Sequence, residues 1–365
     1  MNSLSYIIWT FDPAIFTIPG TDYAPRWYGV LFALGFILSQ QVFFWIFKKE
    51  GRPEKDVEKI TTYMVLATII GARLGHCLFY NPSYYLSNPL EILMVWKGGL
   101  ASHGGTLGIL FAIYLFCKKY KYSYLWVLDR MVIVAALTGT MIRTGNFFNS
   151  EMEGTLTNSN TGVVYARATY DVLNYDEKKV DEVSIVKGGE WQSEEAGIVP
   201  ITAKIQYRRG VQLTTEDKNF IENRLRSTLT RYSEVVEHID FGQEALKYKT
   251  YEDGGVSYVE IYGLGKVRHV AQLWEAAYCL LLMLLLTWLW YAKRDSLPQG
   301  FNFALFMILL WSLRFVDEFF KMNQEAFEEN LTLNMGQILS IPLTVAGVIM
   351  MVWVYTRDKK MSDLN

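Results

Sequence analysis

Seven stretches of this chain are each apolar over a length that can cross a bilayer: approximately Trp27–Phe47, Ile60–Tyr80, Leu100–Cys117, Leu125–Ile142, Val270–Tyr291, Phe301–Phe320 and Met335–Tyr355. A run of roughly 18–20 apolar residues fits a spanning helix, because only a helix satisfies its own backbone hydrogen bonds inside hydrocarbon. The chain therefore reads as an integral membrane protein built as an all-α bundle of seven transmembrane helices.

Lys and Arg in short loops favour the cytoplasmic side. Lys48, Lys49, Arg52 and Lys55 follow the first stretch, Lys118, Lys119 and Lys121 the third, Lys293 and Arg294 the fifth, and Arg357, Lys359 and Lys360 the seventh. The other short loops carry little positive charge, with Lys97 and Lys321 the main exceptions. The expected N-terminus is outside and the C-terminus cytoplasmic. Met1–Pro25 lacks the basic start and clean apolar core of a cleavable signal, so the first span is expected to serve as its own uncleaved signal.

The loop after the fourth stretch is long. Residues Thr155–Val267 hold 14 of the 35 Lys and Arg and 18 of the 37 Asp and Glu, so this segment is weakly acidic and the rest weakly basic. Neither part creates the strong basic field that nucleic acid would need. Short β-branched and aromatic runs at Val163–Ala166, Val183–Val186 and Ile201–Tyr207 predict strands, and Ala245–Thr250 and Ser257–Tyr262 predict a hairpin around Tyr251–Val256. Thr214 with Asp217 opens a helix whose face carries Phe220, Ile221, Leu225, Leu229 and Tyr232. The segment is thus an extracytoplasmic α+β insertion between helices four and five. His238, its single histidine, is expected to be a solvated helix-end residue. The predicted organisation is an N-terminal segment at 1–25, helices one to four at 26–154, the insertion at 155–267, helices five to seven at 268–356 and a cytoplasmic tail at 357–365.

Cys77, Cys117 and Cys279 all lie in apolar stretches, which points to packing rather than disulfides. The chemistry must come from polar groups in or near hydrocarbon, which are costly and usually face a cavity, a partner or a substrate. They gather at the expected outer ends of the spans: Arg26 and Tyr28, Arg73, His103, Arg143 with Asn146, Asn149 and Glu151, Arg268 with His269, Gln272 and Glu275, Arg314 with Glu318, and Gln337. Arg26 and Trp27 also suit the membrane interface, Arg314 and Glu318 an ion pair at i, i+4, and His76 an apolar core. Packing explains Arg143, Asn146 and Glu151 less well. The run from Gly98 to Gly108 begins a spanning helix, where its glycines either bring backbone to a ligand or bring helices together. Helix packing alone would not need His103 among them, and exposed N–H groups beside arginines suit a phosphate. No P-loop, zinc-ligand spacing or serine-hydrolase elbow is present.

His103-Gly-Gly-Thr-Leu-Gly108 resembles the His-Gly-Gly-x-x-Gly element of the prolipoprotein diacylglyceryl transferases, and Arg143-Thr-Gly145-Asn146-Phe-Phe-Asn149-Ser-Glu151-x-x-Gly154 resembles the signature of the same family. The resemblance continues through Arg26-Trp-Tyr28-Gly29, Gly71-Ala-Arg73-Leu-Gly75, Arg268-His269-x-x-Gln272-Leu-x-Glu275, Arg314-Phe-x-x-Glu318 and Met335-Gly336-Gln337-x-Leu-Ser340. It covers all seven stretches in order. Ile142 and Ser150 stand where glycine is usual, Val270-Ala271 where Pro-Ser is usual, and Trp274 where tyrosine is common.

The resemblance implies transfer of the sn-1,2-diacylglyceryl group from phosphatidylglycerol to the thiol of a lipobox cysteine in a prolipoprotein signal peptide, with release of glycerol 1-phosphate. It implies catalytic roles for His103, Arg143, Arg268, Tyr28, Asn146 and Glu151. Phosphatidylglycerol would be held by Arg143, Asn146, Arg73, Gly104, Gly105, Gly154, Gln272 and Glu275. Arg143 and Arg268 would neutralise the leaving phosphate, and Glu151 would hold an arginine in place. Either His103 or an arginine field would activate the thiol. No metal or organic cofactor is expected. The expected partners are the two substrates and membrane lipids, the expected state a monomer, and the expected place the bacterial inner membrane, with the site near the outer leaflet. The rival readings are another phospholipid-using transferase and, further off, a transporter, which would place its site at the midplane and show internal repeats.

Overall fold

A computed structural model describes residues 5–21, 24–95, 98–99, 101–176, 178–322, 328 and 331–362. The expectations for Lys97, for Leu100 and for the extreme ends of the chain lie outside the described residues. In chain order the elements are β1 (Ile7–Trp9), α1 (Trp27–Lys49), α2 (Lys55–Phe79), α3 (Pro82–Ser87), α4 (Ser102–Tyr120), α5 (Tyr124–Phe148), β2 (Val163–Tyr165), α6 (Arg167–Leu173), β3 (Val180–Lys187) and β4 (Ile198–Tyr207). They continue with α7 (Thr215–Asn219), α8 (Arg226–Arg231), α9 (Ser233–Val236), β5 (Ile239–Asp240), β6 (Lys247–Asp253), β7 (Val256–Lys266), α10 (Ala271–Lys293), α11 (Phe301–Asp317) and α12 (Met335–Ser362).

Each of the seven apolar stretches lies on a helix. By length and composition five are able to cross a membrane: α1, α2, α5, α10 and α12. Their outward faces carry Leu74, Leu78, Leu281, Trp288 and Ile349, all exposed, which water would penalise and acyl chains accept. The boundary difference that bears on the site is at α5. The stretch ending at Ile142 continues as helix to Phe148, so Arg143 and Asn146 stand on a regular helix rather than in the loop after it.

The chain divides into two compact units. The first comprises Met1–Val30, Arg143–Glu275 and Val316–Asn334. Its sheet runs β3-β4-β7-β5, with β6 also paired to β7, and every pairing is antiparallel. Alternation along β4 and β7 drives one face inward, where Val199, Ile201, Ala203, Ile205, Val259 and Ile261 meet Ile221, Leu225 and Leu229 of the flanking helix. The Thr214–Asp217 capping box forms as the sequence predicts. Tyr232, placed on the buried face by its spacing, is instead exposed. A π-helical turn at Phe220–Leu225 joins α7 to α8 and advances the register before Tyr232 is reached. The hairpin turn is tighter than expected: β6 runs through Asp253, and only Gly254 and Gly255, both at positive φ, make the reversal. The run at Val163 forms β2 outside the five-stranded sheet, parallel to β1, with Ile7 opposite Val163 and Trp9 opposite Tyr165. Tyr6 is fully buried beside this pair, and its hydroxyl donates to the Pro200 carbonyl.

The second unit comprises Leu31–Ile142, Ala276–Phe315 and Met335–Asn365. Phe43, Ile46, Phe47, Phe116, Trp126 and Ile133 form the centre of its apolar core. Ser39 buries its hydroxyl by bonding to Thr138 and to the Val134 carbonyl across the α1–α5 contact.

Candidate active site

In the first unit the last turn of α5 presents Arg143 and Asn146 on one side, as an i, i+3 spacing requires. The helix then stops abruptly. Ser150 and Met152 both take positive φ, and this double reversal brings Glu151 back toward the helix end, where its N–H donates to the Asn146 carbonyl at 2.9 Å. Its carboxylate receives the Asn149 side-chain amide at 3.0 Å and that of Asn146 at 3.5 Å. Gln272, on the first turn of α10 and fully buried, donates to the Glu151 carbonyl at 2.8 Å and accepts from the Tyr165 hydroxyl at 3.3 Å. The turn is therefore held from both sides.

Arg143 is held by Glu275, whereas the Glu151 carboxylate meets Asn146 and Asn149. Its Nε lies 2.6 Å from the Glu275 carboxylate, and its Nη1 donates to the Asn146 side-chain oxygen at 3.4 Å. The double reversal aims Glu151 at the two asparagines, whereas Glu275 stands one turn beyond Gln272 on α10. Glu275 is in turn locked by Lys321, whose ammonium lies 2.8 Å from it, 3.2 Å from Asp317 and 3.4 Å from Glu318. The Lys321 side chain is 1% exposed and Arg143 18% exposed, so the chain of charges runs from a deeply buried cation to a partly accessible one. Tyr28 lies within electrostatic reach of both Arg143 and Glu151, and its backbone packs against Gly145.

Arg268 is enclosed by backbone. It is 5% exposed, and its guanidinium donates to the carbonyls of Gly154 at 3.2 Å and Glu237 at 2.9 Å and contacts the Met322 sulfur. Its backbone pairs with Val163 and Leu156. Gly154 crosses His269 so closely that a Cβ would stand 2.4 Å from the His269 carbonyl oxygen, which explains why only glycine fits. His238 is not solvated: its side chain is 12% exposed, with Nε2 at 2.9–3.0 Å from both Glu153 carboxylate oxygens, because Lys266 pairs backbone-to-backbone with it and draws the helix end onto the sheet. Burial pushes Glu153 up to about 8, with Arg268 opposing and Glu237 adding to the rise. Burial, with the positive charges of Arg268 and Lys266, drives His238 down to about 3.

In the second unit His103 is exposed near the start of α4, with its ring 5.2 Å from Phe79 and 6.0 Å from Tyr80. Gly104 is there for packing: a Cβ would stand 2.3 Å from the Gly71 carbonyl oxygen and 2.7 Å from the Gly75 Cα, so α2 and α4 touch backbone to backbone. Gly105 would accept a Cβ at ordinary contact distance from Ala72. Arg73, 3% exposed, spends its donors on the carbonyls of Glu91, Ile92, Gly98 and Gly99 at 2.5–3.2 Å, fixing the loop between the two helices. Among residues expected to hold lipid, Arg73 and Gly104 thus have structural work that accounts for them.

The sequence did not single out Lys321, Glu153 or Asp317 for the site. Lys321 stood out only as a basic residue on the wrong side of the charge pattern, and that was the available signal. Among the described residues no group of three or more His, Cys, Asp or Glu side chains could hold a metal ion.

The family model described as "Prolipoprotein diacylglyceryl transferase" matches residues 13–353. The chain is 32% identical over 346 residues to a protein of Tolumonas auensis, covering 94% of this chain and 96% of that one. It is 32% identical over 351 residues to a protein of Chloroherpeton thalassium, covering 96% and 95% respectively. A third, from Porphyromonas gingivalis, is 32% identical over 371 residues, covering 99% and 97%. All three carry the name phosphatidylglycerol--prolipoprotein diacylglyceryl transferase.

Proposed function

The chain belongs to the prolipoprotein diacylglyceryl transferase family, and on that premise we propose that it transfers the sn-1,2-diacylglyceryl group of phosphatidylglycerol to the lipobox cysteine thiol of a prolipoprotein. A sulfur–carbon bond forms at the glyceryl carbon and the carbon–oxygen bond to phosphate breaks. Glycerol 1-phosphate leaves, and the thiol proton passes to a base or to the departing phosphate. The reaction balances with no redox partner.

The barrier lies in making thiolate from a thiol of ordinary pKa about 8.5 and in stabilising charge on the departing oxygen. Arg143 suits the second task. Its Nε is committed to Glu275 at 2.6 Å, which fixes the plane of a partly exposed guanidinium in advance of substrate. This preorganised arginine is the observation that carries the reading. Asn146 and Tyr28 flank it as orienting groups for headgroup oxygens, Glu151 sets the Asn146 amide, and Gln272 and Gly154 hold the turn that carries Glu151. Arg268 and Arg73 act by shaping backbone. His103 is the candidate thiol base, and depression of the thiol pKa by arginine is the alternative. A pH–rate profile of His103→Gln separates them, since loss of a base removes the limb that its titration produces.

Two backbone pairings support seven spans. Ile7–Trp9 pairs with Val163–Tyr165, so both lie on one side of the membrane and the chain between them crosses an even number of times. With α1, α2 and α5 crossing, α4 must cross as well. Gly154 pairs with Lys321 in the same way, so α11 must accompany α10. The basic loops then put β1 and residues 155–267 outside, the C-terminus inside, and the α5 end with Arg143 at the outer leaflet. A monomer in the inner membrane suffices for all of this.

The test is incubation of purified protein with radiolabelled phosphatidylglycerol and a lipobox peptide, with a Cys→Ser peptide as control. Label on the cysteine peptide with release of glycerol phosphate is expected, and lost or sharply reduced in Arg143→Ala. Release of glycerol phosphate with no labelled peptide would make it a different phospholipid enzyme.

A further inference from the structure

At the basic ends of α1 and α10 the second unit contains a half-open cavity of about 450 Å³ that the transfer reaction does not use. Its floor is aromatic and its rim cationic: Trp126 and Trp290 below, Lys49, Arg52, Arg130 and Arg294 around. Of the three carboxylates lining it, Glu50 and Asp129 are already engaged. Glu50 receives Arg130 through Nε at 3.0 Å and Nη2 at 2.8 Å, the Trp126 indole N–H at 2.9 Å and the Trp290 indole N–H. Asp129 accepts the backbone N–H groups of Gly300 at 2.7 Å and Phe303 at 2.9 Å. Asp295 is almost fully exposed and meets Arg294 only at 3.9 Å. That leaves the charges of Lys49 and Arg52 to the cavity, together with that of Arg294, whose pairing with a solvent-exposed carboxylate at 3.9 Å is weak. Arg52 and Arg294 are steadied from beneath, the first 5.3 Å above the Trp126 ring and the second 5.5 Å above that of Trp290.

The surroundings indicate what the cations meet. Trp45 and Tyr291 are both exposed, stacked at 6.3 Å, and Trp45 lies 4.8 Å from Trp290. Exposed Trp and Tyr on the outer faces of apolar helices sit at the headgroup level of a bilayer. The cavity thus combines cations held in place, an indole floor and an opening at headgroup depth. We propose that it binds the phosphate headgroup of an anionic membrane lipid, held by Lys49, Arg52 and Arg294 and distinct from the lipid that is consumed. Its assignment to the cytoplasmic leaflet rests on the orientation proposed above; binding in a symmetric bilayer or micelle does not.

The test uses the delipidated full-length protein in neutral detergent, with dioleoyl phosphatidic acid, dioleoyl phosphatidylcholine and inorganic phosphate as probes. Lipid retained in native mass spectra and the thermal midpoint are read for the parent, for Arg52→Gln/Arg294→Gln and for Lys49→Gln. The parent should prefer phosphatidic acid over phosphatidylcholine by about tenfold, equivalent to one charge-assisted contact of about 1.4 kcal/mol. Each variant should lose most of that preference, Lys49→Gln serving if the double variant does not fold. Equal retention of phosphatidic acid by parent and folded variants overturns the proposal. So does a midpoint shift that inorganic phosphate alone reproduces, which would make the ligand a soluble anion. No step of the test measures transfer, so folded variants that keep the parent's lipid preference sink this proposal and leave the transferase reading standing.

Discussion

Lys321→Met removes the one cation that faces Glu275, Asp317 and Glu318 together, at 2.8, 3.2 and 3.4 Å, from a site where the lysine side chain is 1% exposed. At an effective dielectric of about 20, one charge pair near 3 Å attracts by about 5 kcal/mol before desolvation is counted. Breaking a buried pair by removing one partner costs about 3–5 kcal/mol, because the other charge is left uncompensated. The loss should therefore lie near that range at pH 8. Turnover should fall with stability, since Glu275 loses the group that fixes it and Arg143 loses its alignment. Thermal unfolding in detergent and peptide labelling, both at pH 8, measure the two effects. Lys321→Arg should retain most of both. A Lys321→Met protein within about 1 kcal/mol of the parent at pH 8, with normal turnover, would refute the linked-charge account.

The Glu153–His238 pair predicts a pH dependence of stability. With values of about 8 and about 3 the folded pair keeps one proton between those limits, whereas the unfolded groups, at about 4.3 and 6.5, hold none above 6.5. Stability should fall as pH rises from about 6.5 to 8, by about 2 kcal/mol, and fall again below about 4.5 as the unfolded state takes up the second proton. Glu153→Gln should flatten the upper limb, and an unchanged slope in that variant counts against it. Gly104→Val should prevent α2 and α4 from meeting and lower the yield of folded protein on size exclusion, while Gly105→Ala is tolerated; equal behaviour of the two would remove the packing argument. Asn146→Ala and Arg143→Ala should each lose more turnover than His103→Gln, and near-normal rates in all three purified variants would overturn the site.

The features legible in the sequence are those written in local periodicity. The apolar stretches locate the long helices, the Thr214–Asp217 pair locates a cap, and the glycines at 254 and 255 locate a turn, because each depends on neighbours a few residues apart. The site was legible as a set of residue types and much less as a set of partners. Arg143 with Asn146 is a local spacing, but its anchor Glu275 arrives from α10, and Lys321 from beyond α11. His238 was misjudged for the same reason: a residue at a segment end looks accessible until the backbone pairing of Lys266 covers it. The strand at Ile7 has no partner within reach of any local pattern.

That strand has a consequence for how the protein is made. It pairs with Val163–Tyr165, roughly 150 residues further along the chain, which at about 5–20 residues per second of synthesis is an interval of about 8–30 s. Through that time Ile7–Trp9 waits without its partner strand, and Tyr6 without the interior that will enclose it. Closure of this pair is therefore a late step of assembly, and a bulky insertion just ahead of Ile7 would tax that step.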